Sequence, residues 1–324
     1  MSRGVVSSFA AAARRAERAS AQEYRAQLRY RNEMDKLQAQ MDAQRTVAMQ
    51  ESYLGFIVSL HRDAGPYWDW ARIAEASAPS PTRSREIAAS AALQAFKPTF
   101  FDKLLSRVAI KRQPYEAAVS NAREEDQAEN SDRYSEWEWL GKVGAAIVAR
   151  DLNAYRTVIE RFAPFGELEE VGAAVYTDIK EPWYIHARVR AKNSSVIPSE
   201  ELKLLASGKV SAKEMQKAKY WAYYQDYICS AAIRTAREMF HLLPVAKVYV
   251  DVSVVMLDKS TGHDNDSVIV SVEFEREPTL GLNFDRIDAS DAIERMRHEM
   301  DFKKTTGFTP VSAIAPMASI TSTG

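Results

Sequence analysis

Cysteine is nearly absent from the chain of 324 residues: Cys229 is the single one, and this scarcity excludes several classes of site. One thiol cannot build a disulfide framework or a multi-thiolate zinc or iron–sulfur centre within one chain. This usage is typical of a reducing compartment, so we expect a cytoplasmic location. Cys229 itself lies in an apolar stretch of a predicted helix, where a small thiol acts as a hydrophobic side chain.

Long apolar runs and phosphate-binding glycine motifs are also missing. The longest apolar stretches, near Tyr53 to Leu60 and Val248 to Leu257, fall short of the roughly 18 residues that cross a bilayer, and we expect no membrane partner. The 12 glycines form neither G-x-x-x-x-G-K-S/T nor G-x-G-x-x-G. The five histidines lack the spacing of metal ligands, so we expect no cofactor and no metal site.

Neither sign of charge dominates, because 43 Lys and Arg face 44 Asp and Glu, for a net charge of -1. This balance excludes a uniformly basic histone-type protein and a strongly charged disordered chain. An electrostatic partner must therefore meet a local patch.

What the sequence does have, over residues 1–50, is a proline-free stretch of strong helix formers, and it predicts a long projecting helix. Large apolar residues are sparse there, but Tyr30, Met34, Leu37 and Met41 follow a 4-3-4 spacing. We name these four residues the seam. Such a narrow stripe favours a short coiled coil or docking onto another subunit over burial in a globular core.

The same helix carries nine basic and five acidic residues, for a net charge of +4. Four arginines recur along one side of it: Arg14, Arg18, Arg25 and Arg29. The stripe fits either attraction to nucleic-acid phosphates or an acidic partner, or an ordinary solvated face. Residues 121–140 have the opposite sign, with seven acids and two arginines, and could meet the stripe or simply face solvent.

The rest of the chain predicts a helical region over 51–165, an α+β domain over 166–311 and a flexible tail over 312–324. In the α+β domain we expect a hairpin of Val171 to Ile179 and Trp183 to Arg190, and a stronger one of Lys247 to Leu257 and Ser267 to Arg276. A buried helix from about Ser211 to Leu243 should pack on four or five mainly antiparallel strands. A last helix is expected over Asp291 to Met300.

A group of acids on the strongest strands offers a second, enzymatic interpretation. Asp251, Glu273 and Glu275 could converge with Lys303, and carboxylates beside a lysine on a sheet are used by magnesium-dependent nucleases. The element order resembles the restriction-endonuclease-like core, but that family's second strand reads acid, any residue, lysine, and here it reads Glu273-Phe274-Glu275. Alternating acids on an exposed strand face are more often solubilising or edge-protecting charges.

The carboxy-terminal third resembles a family of uncharacterised bacterial proteins that also begin with an Arg-rich helix. The resemblance rests on Tyr224 to Arg234, Asp288 to Ala292 and Phe302 to Phe308. It implies a bacterial, cytoplasmic source and brings no activity, cofactor or site with it.

From these observations we expect a non-enzymatic interaction or assembly protein that uses its first helix for self-association or partner docking. The alternatives are a metal-dependent nuclease-like enzyme, for which Mg²⁺ would be the cofactor, and a nucleic-acid-binding protein without cleavage through the arginine stripe.

Overall fold

The computed structural model describes residues 3–162, 164–258 and 260–316, without the side chains of residues 3–26 and 167. It confirms the α+β class, with 53% helix and 21% strand. None of the helices in these ranges combines the length and apolarity needed to span a bilayer.

The amino-terminal half is helical. Its helices are α1 (Arg3–Val58), α2 (Trp70–Ala74), α3 (Ser84–Ala95), α4 (Phe100–Leu104), α5 (Val108–Val148), α6 (Leu152–Phe162) and α7 (Gly166–Glu170), with a short 3-10 turn at Leu60–Arg62. The sequence predicted two helices, Tyr115 to Asn130 and Tyr134 to Ala149, in place of α5, but no glycine or proline lies between them at 131–133, and the helix runs on. The sequence also predicts Asp151 as the N-cap of a helix over Leu152 to Phe162, and Asp151 does cap α6, accepting a hydrogen bond from the Asn153 amide at 2.8 Å.

The carboxy-terminal half contains the sheet. Its strands are β1 (Ala174–Glu181), β2 (Tyr184–Arg190), β3 (Glu200–Leu204), β4 (Val210–Glu214), β5 (Lys247–Asp258), β6 (His263–Glu275), β7 (Arg297–Lys303) and β8 (Gly307–Thr309). Its helices are α8 (Lys217–Leu242), α9 (Arg276–Leu280) and α10 (Ala289–Glu294), with a 3-10 turn at Ser194–Val196.

Six strands form one sheet in the order β1-β2-β5-β6-β7-β8. Both predicted hairpins, β1–β2 and β5–β6, are antiparallel, while β2 and β5 pair in parallel through the connection that contains α8. The predicted buried stripe of α8, from Tyr224 to Leu243, is buried throughout. The sheet therefore has an apolar face against α8 and a polar face on the other side.

Two predicted helix boundaries are wrong. Residues 211–214 belong to strand β4, which pairs with β3, and α8 begins only at Lys217. The last helix ends at Glu294 instead of Met300, because Arg297 to Met300 pair with β6 as part of β7. In both cases strand pairing outweighs local helix propensity, with the adjacent strand β3 for β4 and with the more distant strand β6 for β7.

Part of the segment predicted as a flexible tail lies against the sheet. Within it, the amide of buried Ile314 donates to Ser271 Oγ at 2.9 Å; directly before it, the Val311 amide donates to the carbonyl of Val268 at 2.8 Å. Residues 317–324 lie outside the described part of the chain.

A continuous hydrophobic core joins the two predicted regions. It contains Leu54 and Ile57 of α1, Ile147 of α5, Tyr155 of α6 and the buried stripe of α8. The amino-terminal ends of α1 and α5 extend away from this core, and they carry the surfaces considered below.

Candidate functional site

The inward face of α1 attaches the helix to the rest of the chain. Ala43, Val47, Leu54 and Ile57 are buried and spaced by about one helical turn, as expected for one packed side. Between them, the Gln50 side chain donates to the carbonyl of Glu200 and accepts from the Leu202 amide, at 2.9 and 2.8 Å. The helix is thus held on the β3–β4 hairpin.

The seam lies on another side of α1. Tyr30, Met34, Leu37 and Met41 are 66%, 46%, 50% and 56% exposed. At about 100° per residue, Met41 points about 160° away from buried Ala43. The structure thus leaves the seam in solvent, on the side of the helix that faces away from its own chain.

The arginine stripe falls mostly outside the described side chains. The structure gives the helical backbone at Arg14, Arg18 and Arg25 but does not describe their side chains, and Arg29 is exposed. The acidic run on α5 has partners elsewhere: Arg85 on α3 pairs with Glu125, Asp126 and Glu129. Arg161 on α6 pairs with Glu136. These ion pairs support the interpretation of the acidic run as a helix face paired with its neighbours.

Asp251 lies on the polar face of the sheet and is 1% exposed. One carboxylate oxygen accepts a hydrogen bond from Ser271 Oγ, and the other lies 2.6 Å from His186 Nε2. The order is serine, carboxylate, histidine, so the serine contacts the acid rather than the imidazole. This differs from a catalytic triad, in which the histidine must reach the hydroxyl it deprotonates.

Glu273 is also buried, and two cations neutralise it. Lys247 and Arg297 form ion pairs with its two oxygens, and Lys247 also pairs with Glu275 at 3.0 Å. Burial acts to raise the pKa of Glu273, but the hydrogen bonds from Lys247 and Arg297 together outweigh it and hold this pKa below its ordinary value.

The predicted lysine is not at this cluster. Lys303 is exposed on β7, six residues beyond Arg297, which pairs with Glu273; six residues of strand span about 20 Å. Among the described residues, no group of three or more His, Cys, Asp or Glu could hold a metal ion. The carboxylates are thus engaged by protein groups, and the nearby lysine is Lys247.

Beside Asp251 the polar face opens into a cavity of about 420 Å³. Its lining comes mainly from β1 and β2, whose register sets Tyr176 opposite Arg188 and Asp178 opposite His186. Neither Arg188 nor the more distal Arg190 forms an ion pair with any residue in the described ranges, whereas Asp178 pairs with Lys180 at 2.9 Å. The lining residues are Tyr176, Thr177, Asp178, His186, Arg188, Arg190 and Asp266.

The sequence contained one signal for this cavity and lacked another. Alternation in β2 predicts that His186, Arg188 and Arg190 share a wet face. The neighbouring carboxylate, Asp251, comes from the parallel pairing that sets Arg188 opposite Asp251, and no local pattern gives that register.

The single cysteine and two tyrosines of α8 belong to the core. Cys229 is fully buried, and burial raises the pKa of its thiol well above the ordinary value, which disfavours the nucleophilic thiolate. The sequence also has a dense group of aromatic residues at 220–227 of α8, on which bases could stack; Tyr224 and Tyr227 of this group are buried, and burial raises the pKa of both phenols. Both groups therefore contribute to packing.

Comparison with known proteins gives no match among protein families, curated proteins or solved structures. Function must therefore be argued from the geometry of this chain.

Proposed function

We propose that the protein is an assembly protein that self-associates by pairing its α1 helix with α1 of a second copy. The observation that carries the proposal is the exposed seam on the side of α1 that faces away from its own chain. In a solvated helix a row of Tyr, Met, Leu and Met has a cost in exposed apolar area, which a second identical row removes.

The residues beside the seam are compatible with a second copy. Placing Met34 and Leu37 at the a and d positions of a heptad puts Glu33 and Gln40 at g, and Arg31 and Gln38 at e. In a parallel pair, Glu33 of one copy then lies near Gln38 of the other copy. In an antiparallel pair, Arg31 of one copy lies near Gln38 of the other copy. Neither arrangement brings like charges together.

The length of the seam sets the expected strength. The twelve residues from Tyr30 to Met41 span about 17 Å between their ends, and so short a contact buries less surface than the roughly 1,600 Å² of a standard stable interface. We therefore expect a dimer whose population rises with protein concentration.

We predict that Met34→Glu with Leu37→Glu weakens the dimer at least about 100-fold, because charges then enter an apolar interface. Sedimentation velocity of the full chain at several concentrations measures this. The matched control, Asn32→Glu with Ala39→Glu, adds two charges on the opposite side of the same helix and should leave the mass unchanged.

A chain beginning at residue 39 should be a folded monomer, because the inward contacts of α1 begin near Gln40, which lies over Gly208. A wild-type mass that stays monomeric at every concentration, or a dimer that survives the seam variant, would refute the proposal.

A second function, nucleic-acid binding without cleavage, is favoured by the cavity on the polar face. Arg188 and Arg190 supply two cationic groups at the cavity. The exposed side chain of Tyr176 on β1 offers a ring on which a base can stack. The same strands place His186 at the cavity beside Asp251. The carboxylates that a nuclease would use are occupied by Lys247, Arg297 and His186, so metal-dependent cleavage has weaker support.

We predict that Arg188→Ala with Arg190→Ala weakens binding of single-stranded RNA or DNA and flattens its salt dependence. Loss of two phosphate contacts should lower the slope of log affinity against log salt by about 1.4, at roughly 0.7 per contact for single strands. Fluorescence anisotropy at several salt concentrations measures both. Arg286→Ala, at an exposed arginine elsewhere, is the control; absent binding, or an unchanged slope in the double variant, would contradict the prediction.

A further inference from the structure

At the far end of the α3–α5 helical hairpin, apolar side chains are exposed to solvent and an aspartate is buried. Phe100, Phe101, Leu104, Leu105 and Ile110 are between 55% and 73% exposed, whereas Asp102 among them is 6% exposed. We name residues 96–112 the hairpin tip. Soluble monomers rarely expose contiguous apolar patches of more than a few hundred Å², and such a patch marks an interaction surface.

The tip is remote from the core. Helix α5 packs against the core from Trp139 to Ile147, and about 36 Å of helix separates Trp139 from Tyr115. Along the way α3 is fastened to α5 by the pairing of Glu86 with Arg123 at 2.8 Å and by the hydrogen bond of the Thr82 amide to Asn130. The apolar end therefore lies at the far end of a pair of helices, α3 and α5, that are joined to each other.

Local contacts hold the tip in this inverted arrangement. Thr99 and Asp102 form a capping box at the start of α4. The Lys111 ammonium lies 2.5 Å from the Asp102 carboxylate, and this partner together with Thr99 lowers the pKa of Asp102 to about 2. The Arg107 amide donates to the Asp102 carbonyl at 2.9 Å. These polar contacts occupy the inner side, so Phe100 and Phe101 face outward.

Charge indicates what covers the patch. Residues 97–112 hold five basic groups and one acid, for a net charge of +4. The basic residues, all exposed, are Lys97, Lys103, Arg107, Lys111 and Arg112. Lys111 and Arg112 are paired with Asp102 and Glu116, at 2.5 and 2.9 Å, whereas Lys97, Lys103 and Arg107 form no ion pair with any residue that the structure describes. Exposed apolar side chains beside such cations suit the boundary between headgroups and acyl chains of an anionic bilayer.

We infer that the hairpin tip docks onto an anionic lipid surface, with Phe100, Phe101, Leu104 and Leu105 entering the interface. A bilayer fits this surface better than an acidic protein does, because the patch is the end of a hairpin and a fluid lipid surface needs no matching groove. The inference departs from the expectation of no membrane partner, which rested on the lack of a spanning segment. It is independent of the seam of α1.

Co-sedimentation of the full chain with vesicles tests the inference. The protein should bind vesicles of phosphatidylcholine with about 30% phosphatidylglycerol at least about tenfold more tightly than vesicles of pure phosphatidylcholine. Added salt should weaken this binding. Phe100→Ser with Phe101→Ser should lower the partition coefficient at least tenfold, and Phe100→Trp with Phe101→Trp should retain it. Lys103→Glu with Arg107→Glu should also lower it at least tenfold.

The controls place a similar change elsewhere: Leu257→Ser at another exposed apolar side chain and Lys213→Glu at another exposed lysine. Circular dichroism and thermal unfolding should match the wild type for every variant, since the tip lies far from the core. Absent vesicle binding, equal binding to neutral vesicles, equal losses in the controls, or a tip that binds only an acidic protein or a second copy would each overturn the inference.

Discussion

Two neighbouring acids show how position alone separates residues of one type. Asp288 caps α10, where its carboxylate accepts from the amides of Ser290 and Asp291 at 2.9 and 3.1 Å. Burial acts to raise the pKa of Asp288, but the hydrogen bond from the Ser290 hydroxyl and those from the two amides together lower it. Asp226 on α8 is partly buried, and desolvation followed by repulsion from Asp288 raises its pKa to about 6. Its charge is thus unfavourable in the folded state.

Stability should therefore depend on pH through Asp226. The unfolded pKa is 3.8, so between about pH 4 and 6 the folded state binds more protons at this group. The contribution of Asp226 to the free energy of unfolding is most favourable below this pH range, and it is lost as the pH rises through about 6. We predict that Asp226→Asn stabilises the protein by about 1 kcal/mol at pH 8, a value reduced for solvent screening because the group is partly exposed.

Urea unfolding between pH 5 and 8 checks this prediction. The gain of the variant over the wild type should shrink steadily toward pH 5. Asp35→Asn, at an exposed acid of α1, is the control and should show no such trend. A gain that is constant with pH would argue against titration of Asp226 as its source.

At the scale of elements, α1 combines two roles on different sides of one helix. Its inward face docks on β3–β4 through apolar contacts and through the two hydrogen bonds of Gln50. Its seam stays exposed. The helix and the hairpin support each other, since an isolated two-stranded hairpin is at best marginally stable in water.

We predict that Gln50→Ala lowers the free energy of unfolding by about 1–2 kcal/mol, the net value of two hydrogen bonds. Hydrogen exchange should rise chiefly at the amides of β3 and β4, because the hairpin loses its fastening to α1. Gln44→Ala, one of the exposed glutamines on the same helix, should change neither quantity. Uniform acceleration of exchange across the sheet would show that Gln50 acts on the whole fold instead.

At the scale of the whole molecule, a single core supports two long projections. The sheet and α8 form most of that core, and α1 and α5 each contribute one end to it. The projecting parts carry exposed apolar groups, the seam on α1 and the hairpin tip between α3 and α5. Exposed apolar area away from the core does not contribute to folding of the chain, and both proposals of binding rest on these two surfaces.

Local chemistry was sufficient to predict the elements with strong patterns. The Val-rich composition predicted β5 and β6, the small residues Ala232 and Ala236 predicted that α8 packs closely on the sheet, and Asp151 predicted the start of α6. The structure has the two strands, the buried alanines and the cap. These signals work because residues close in sequence set the hydrophobic period and satisfy the first amides of a helix.

Sequence by itself determined the fold class, the exposed seam on the first helix and the core role of Cys229. Tertiary structure alone decided that Arg297 to Met300 form a strand, that His186 reaches Asp251, that Lys247 rather than Lys303 neutralises Glu273, and that Asp102 is buried among exposed phenylalanines. The physical reason is that strand register and ion pairing join residues 26 to 65 positions apart, and the tip's inversion depends on a cap and an ion pair between two helices. Neither leaves a local periodicity in the chain.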